Sequence, residues 1–155
     1  MMLVHRMADN AAPETSQFDV DRARAALWRE DWASQALGMS LLEVTAGRAR
    51  VAMTIRRDML NGFGLCHGGI LTTFGDTAMA FASNSHNERA VATNLAVEFL
   101  APGREGDALI AEAREVSRTR RTGLYDTTIT NQTGTIIALL RGRVQRVPGA
   151  PVAGG

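Results

Sequence analysis

At 155 residues the chain is most economically one domain, long enough to bury a core without covalent staples. An apolar fraction of 45% excludes wholesale disorder, and 17 basic against 16 acidic residues leave a net charge of +1, too small a field to gather nucleic acid or an anionic membrane. Five Phe, two Trp and one Tyr also supply few base-stacking platforms.

Every basic residue is arginine, so there is no Walker lysine, Schiff-base lysine or lysine general base. The single cysteine, Cys66, excludes an internal disulfide. "MMLVHRM" is too short and interrupted for a signal peptide, and no apolar run approaches membrane length, so the expectation is a soluble cytoplasmic protein. Residues 1–17 read as a flexible arm, 18–147 as one domain, and 148–155 ("PGAPVAGG") as a flexible tail.

In chain order, "DVDRARAALWREDWASQALG" predicts one helix. Asp19 or Asp21 can cap it, Trp28, Trp32 and Ala36 share a face, and Gly38 stops it. Two strands follow, "MSLLEVTA" and "RARVAMTIR", hinged at Gly47; Val51, Met53 and Ile55 alternate with Arg50, Ala52 and Thr54. A glycine-rich loop, "NGFGLCHGG", then opens a long helix running to Ser85. Four more strands follow: "AVATNLAVEFL", "DALIAEAREV", "GLYDTTITN" and "TIIALLRGRVQRV", separated by "APGREG", "SRTRRT" and "NQTG". The order predicts an α+β fold, an antiparallel meander wrapped over the central helix.

On the wheel of that helix, Ile70, Phe74, Ala78 and Phe81 form the packing face, with Thr77 beside them. Asp76, the one acidic residue between Asp58 and Glu88, lies opposite among Thr72, Thr73, Ala80 and Ser83, with Met79 at the margin. A carboxylate there is costly unless paired, neutralised or used. Gly68 and Gly69 expose backbone N–H groups at the helix start, where a developing oxyanion is one natural guest. Gly68 and Asp76 are eight residues apart, about 12 Å along the axis, too far to touch one carbonyl within a chain. An antiparallel partner helix would bring Gly68 of one subunit opposite Asp76 of the other, so a shared site requires a dimer.

The combination of N-G-x-G-x-x-H-G-G, an Asp nine residues after the His, and R-R-T-G-x-Y-D closely resembles the PaaI-type thioesterases of phenylacetate degradation, members of the hotdog-fold superfamily. The resemblance covers about residues 20–147. It implies a long helix wrapped by a curved antiparallel sheet, a dimer that commonly pairs into a homotetramer, and hydrolysis of acyl-CoA thioesters, aryl-acetyl groups above all. It implies Asp76 as the catalytic carboxylate, the Gly68 N–H as donor to the thioester carbonyl, and His67 and Asn61 as polar residues shaping the pocket. Gly69, Thr77, Thr93 and Asn94 are candidate substrate-binding positions, and Met79 and Phe63 could line an apolar acyl pocket.

Thioester chemistry asks little more. CoA thiolate is a good leaving group, so one oxyanion donor and one carboxylate suffice, the carboxylate acting as nucleophile or as general base on water. No G-x-S-x-G is present. No cofactor is called for, since CoA is part of the substrate, and three scattered His with one Cys make no metal set. His5 and His86 have no evident partners, and Cys66 beside His67 is poorly placed to be a thiol nucleophile. Arg120 and Arg121, with Arg118, Arg141 and Arg143, are candidates for the CoA phosphates or for a solvated surface. Two rivals remain: a hotdog hydratase or dehydratase using a His–carboxylate pair, and a non-catalytic acyl-CoA-binding hotdog protein.

Overall fold

A computed structural model describes residues 15–153. The N-terminal pattern splits into two helices, α1 (Gln17–Arg29) and α2 (Trp32–Ala36). Ser16, not Asp19 or Asp21, caps α1, its Oγ accepting from Asp19 N at 3.3 Å. Asp31 starts α2 by accepting from Ser34 N at 3.1 Å, and this competing cap is what breaks the expected single helix. Trp28 therefore packs near Phe81, with ring centroids 6.0 Å apart, while Trp32 turns out to solvent. Gly38 ends the pair at φ +71°, as its position suggested.

Strands β1 (Ser40–Thr45) and β2 (Arg48–Thr54) form the predicted hairpin about Gly47, at φ +73°. A short 3-10 turn, Arg57–Met59, leads to the loop and then to α3 (Gly68–Asn84). The remaining strands are β3 (Ala90–Phe99), β4 (Ala108–Arg118), β5 (Thr122–Thr130) and β6 (Ile136–Arg146). All pair antiparallel in one six-stranded sheet of order β1-β2-β4-β5-β6-β3. The meander holds for β4–β6 only. The chain crosses the sheet through α3, so β3 lands beside β6 at the far edge and β4 returns to β2.

Helix α3 lies against every strand, the α+β hotdog arrangement that the resemblance implies. Its buried residues include Leu71, Phe74, Ala78, Phe81 and Ala82; Ile70, expected on the packing face, is only half-buried. Among the described residues no helix is long and apolar enough to cross a membrane.

Both ends of α3 are fixed. At its C-terminus Asn84 bonds Ala90 in both directions, Nδ2 to O at 3.0 Å and Oδ1 from N at 2.9 Å. His86 does have a partner, since its Nε2 lies 2.8 Å from Glu115 Oε2, which also accepts from the buried Tyr125 hydroxyl at 2.7 Å. Burial pushes the Glu115 carboxyl up, but the bonds from His86 and Tyr125 outweigh it and hold the group low. The segment from Pro148, expected to fray, is tied down as far as Ala153, whose N–H donates to Asn87 Oδ1 at 2.9 Å.

Gly75 lets α3 approach β6: a Cβ there would stand 2.5 Å from Leu140 Cδ2 and 3.2 Å from its Cγ. Gly75→Ala gains about 1 kcal/mol of helix propensity, against an overpacking cost of about 1–3 kcal/mol in a buried contact. Because the branch carbon is involved, rotating the Leu140 tip does not clear the clash. The substitution should lower the urea midpoint at unchanged slope; a raised midpoint would show that the helix–sheet gap has slack.

Candidate active site

The loop before α3 is rigid because Asn61 organises it. Its Oδ1 accepts from Phe63 N at 2.9 Å and Leu65 N at 3.2 Å, while its own N–H donates to Leu65 O at 2.7 Å. Gly64 closes the turn at φ +72°. Cys66 N–H to Gly103 O and His67 N–H to Met59 O then dock the loop on the body.

His67 is the N-cap of α3. Its Nδ1 accepts from Gly69 N at 3.1 Å, and its carbonyl accepts from Ile70 N at 2.9 Å and Leu71 N at 3.2 Å. These bonds satisfy the first donors of the helix except one: the Gly68 N–H has no acceptor among the described residues. Gly69, a candidate substrate donor in the sequence, has its N–H committed to His67. Gly68 and Asn61 line a shallow hollow of about 380 Å³ with Leu71, Phe99 and Leu100, and a Cβ on Gly68 would meet the Phe99 ring at 3.0 Å.

Asp76 lies elsewhere, in a larger cavity of about 610 Å³ between α3, the α1–α2 elbow, the start of β3 and the C-terminal segment. Its carboxylate is half-buried and makes no hydrogen bond or ion pair with the described residues. Burial raises its pKa, and the negative Asp31 on the same cavity wall raises it further. Met79, Ala80 and Ser83 share the cavity, as the wheel suggested, whereas Thr72 and Thr73 bond back to the Gly68 and Gly69 carbonyls.

The other candidates scatter. Thr77 lines neither hollow: one residue past Asp76 it is turned beneath α2, buried, with its Oγ1 donating to Thr73 O and 2.9 Å from Ser34 Oγ. Thr93 and Asn94 are exposed on the edge strand at a bulge, Thr93 Oγ1 donating to Arg143 O. Arg120 and Arg121 are exposed in the β4–β5 turn and line neither hollow. Arg118 pairs with Glu88, and Arg141 makes two 2.6 Å bonds to Asp126. Sequence reasoning missed Asp31; the Asp-Trp-Ala-Ser pattern of a helix start was the available sign.

Cys66 lies buried beside the Gly68 hollow, and desolvation pushes its thiol up to about 11. Almost none is thiolate at neutral pH. Iodoacetamide should therefore label it far more slowly than a free cysteine. A rapid label that abolished activity would restore the nucleophile the sequence argued against.

Comparison with known proteins agrees with this architecture. The thioesterase superfamily model matches residues 63–138. The Escherichia coli (strain K12) acyl-coenzyme A thioesterase PaaI is 41% identical over 124 residues, covering 80% of this chain and 89% of its own. The solved structure of E. coli PaaI superposes with a TM-score of 0.84 at 38% identity, over 86% of this chain and 96% of that one. A Streptococcus mutans protein solved bound to acetyl CoA has a TM-score of 0.69 at 27% identity, over 70% and 88% of the two chains. Family match, identity and fold together place the chain in the thioesterase superfamily, among its PaaI-type hotdog members.

Proposed function

We propose that this thioester hydrolase cleaves aryl-acetyl-CoA esters, phenylacetyl- or hydroxyphenylacetyl-CoA, to the free acid and CoA in phenylacetate catabolism in the cytoplasm, with an active site completed across a homodimer. The observation that carries the reading is the division of labour along α3: one open backbone donor at Gly68, one unpaired carboxylate at Asp76, in separate hollows. Their spacing of eight residues, about 12 Å, forbids a common carbonyl within a protomer.

The sheet edge supports the dimer. Among the described residues strand β3 has no partner on its outer side, and Val91, Phe99 and Leu100 on or beside it are half exposed. Its start borders the Asp76 cavity and its end the Gly68 hollow, so β3 runs antiparallel to α3. Pairing two such edges antiparallel about a twofold axis sets the Asp76 end of one protomer against the Gly68 end of the other, twice. A pair of such dimers would form the homotetramer.

In that site the Gly68 N–H polarises the thioester carbonyl and stabilises the oxyanion as it forms. Asp76 either takes a proton from the water that attacks the carbonyl carbon, or attacks it to give an anhydride that water then opens. In both cases the C–S bond breaks and CoA leaves as thiolate. The elevated pKa of Asp76 makes it a stronger base than an ordinary aspartate. His67, which a hydratase would need as acid–base partner, gives its Nδ1 to the helix cap. Support for a CoA ester comes from the E. coli relative's activity and the acetyl CoA complex of the S. mutans protein.

Thiol release from phenylacetyl-, 4-hydroxyphenylacetyl- and octanoyl-CoA tests the reading. Asp76→Asn should lower turnover by roughly 10²-fold or more while leaving the dimer intact in sizing experiments; near-normal turnover would remove Asp76 from the chemistry.

The pH profile gives a second check. Activity needs the carboxylate ionised, so kcat/KM should rise with pH through an apparent pKa above the usual aspartate range. Asp31→Asn, which keeps a capping side chain on α2, removes a neighbouring negative charge and should move that limb to lower pH. A limb that stayed in place would show that the two carboxylates do not couple.

A further inference from the structure

The Asp76 cavity has a far end, and the chain segment after β6 builds it. From Asp76 the cavity follows α3 toward its C-terminus past Ala80 and Ser83, which lie four and seven residues on, about 6 and 10 Å along the axis. In the proposed dimer the partner's Gly68 stands opposite Asp76, so the thioester carbonyl lies between the two. The part of this cavity that runs past Ala80 to Ser83 is space for the group on the carbonyl carbon. Leu27, Met79, Val91 and Val144 flank this path, and Val152 stands on its wall.

Val152 is held there by a clasp. Val147 N–H donates to Arg89 O at 2.8 Å, and Arg89 N–H donates back to Ala150 O at 2.8 Å. Pro148 and Gly149, the latter at φ +73°, turn the chain between them. Ala153 N–H then reaches Asn87 Oδ1 at 2.9 Å and is itself buried. These bonds secure the segment to the turn that follows α3, the end of the cavity remote from the N-terminal end of the helix. A stiff, β-branched apolar side chain is thereby set on the cavity wall remote from the N-terminal end of α3. The 147–153 side of the clasp lies beyond the residues that match the thioesterase superfamily model, which end at 138.

We propose that Val152, positioned by the clasp between residues 147–153 and 87–89, is a specificity-determining residue that limits the length of the acyl group. This rests on the thioesterase reading above. The cavity is open to solvent, and Arg29, Glu30, Asp31 and Arg89 also line it. Where an acyl group meets apolar wall, however, one methylene changes kcat/KM by roughly 10-fold, so a stop at Val152 separates phenylacetyl from longer phenylalkanoyl esters.

The experiment measures kcat/KM for phenylacetyl-, 3-phenylpropionyl- and 4-phenylbutyryl-CoA. Val152→Ala should raise the ratio of 4-phenylbutyryl to phenylacetyl by roughly 10-fold, and Val152→Trp should lower it. Asn87→Gly keeps the left-handed backbone at φ 53° but removes the acceptor for Ala153. It should move the ratio in the same direction as Val152→Ala with every cavity side chain unchanged, and it provides an independent reading if a Val152 variant folds poorly. Ratios within twofold of wild type in Val152→Ala and Asn87→Gly, or a uniform loss on all three esters, would overturn the assignment. A wild type that released no thiol from any ester would overturn the thioesterase reading itself, whereas an active enzyme with an unmoved ratio would overturn only the role of Val152.

Discussion

A length governs this protein. Eight residues of α3 separate its open backbone donor from its unpaired carboxylate, and a helix holds that separation near 12 Å. Bending the helix would bring the two together only by breaking its hydrogen bonds, and α3 is pressed against six strands that leave no room for a bend. The proposed dimer would resolve the conflict by symmetry at no cost to the fold. An antiparallel copy of the same helix would place the two groups opposite each other, and the β3 edge, running antiparallel to α3 and unpaired among the described residues, is the surface through which such a copy can join.

The same rigidity explains how Asp76 is tolerated. A half-buried carboxylate with no hydrogen-bond partner is unfavourable, and the second carboxylate at Asp31 makes it more so. Surrounding bonds hold the arrangement in place. Ser34 docks α2 onto α3 through Thr77, the residue after Asp76, while Asp31 caps α2 and is thereby fixed on the cavity wall. At the far end His86, Tyr125 and Asn84 tether the helix terminus. In the proposed reaction, relief of this unfavourable burial by a substrate or a proton would make the group reactive. The ion pairs on the outer face of the sheet contribute less: Glu112 meets Arg48, Arg50 and Arg114, all partly exposed, where such pairs have small net effects.

Much of this was legible in the residues, and the failures have physical reasons. Strands showed through alternation and turn chemistry, both local. The candidate site could be named from the sequence because one carboxylate on an apolar helix is conspicuous and because helix geometry is invariant. The place of β3 in the sheet was not legible, since pairing with β6 rather than β4 is decided by where α3 carries the chain. The α1–α2 break hid behind the spacing of Trp28, Trp32 and Ala36, which imitates one continuous face. Thr77 was assigned to a ligand and Gly69 to an open donor because sequence gives no account of partners: Ser34 is 43 residues from Thr77, and the ring that takes the Gly69 N–H belongs to His67. His86 was left unpartnered for the same reason, with Glu115 29 residues away.

These distances in sequence also separate two kinds of information. Gly64, Gly68, Gly69, Asp76 and the β3 edge fall within the residues that match the thioesterase superfamily model, 63–138. The elbow bearing Asp31 and the C-terminal segment bearing Val152 fall outside it on either side, yet both reach the Asp76 cavity. The proposed chemistry needs one donor and one carboxylate at a spacing that a single helix supplies, so it can be encoded in a short contiguous stretch. The shape of the space beside them depends on whatever chain is laid over the helix. Substitutions in the elbow and the clasp can therefore reshape that space while the reacting groups and the sheet that supports them stay where they are.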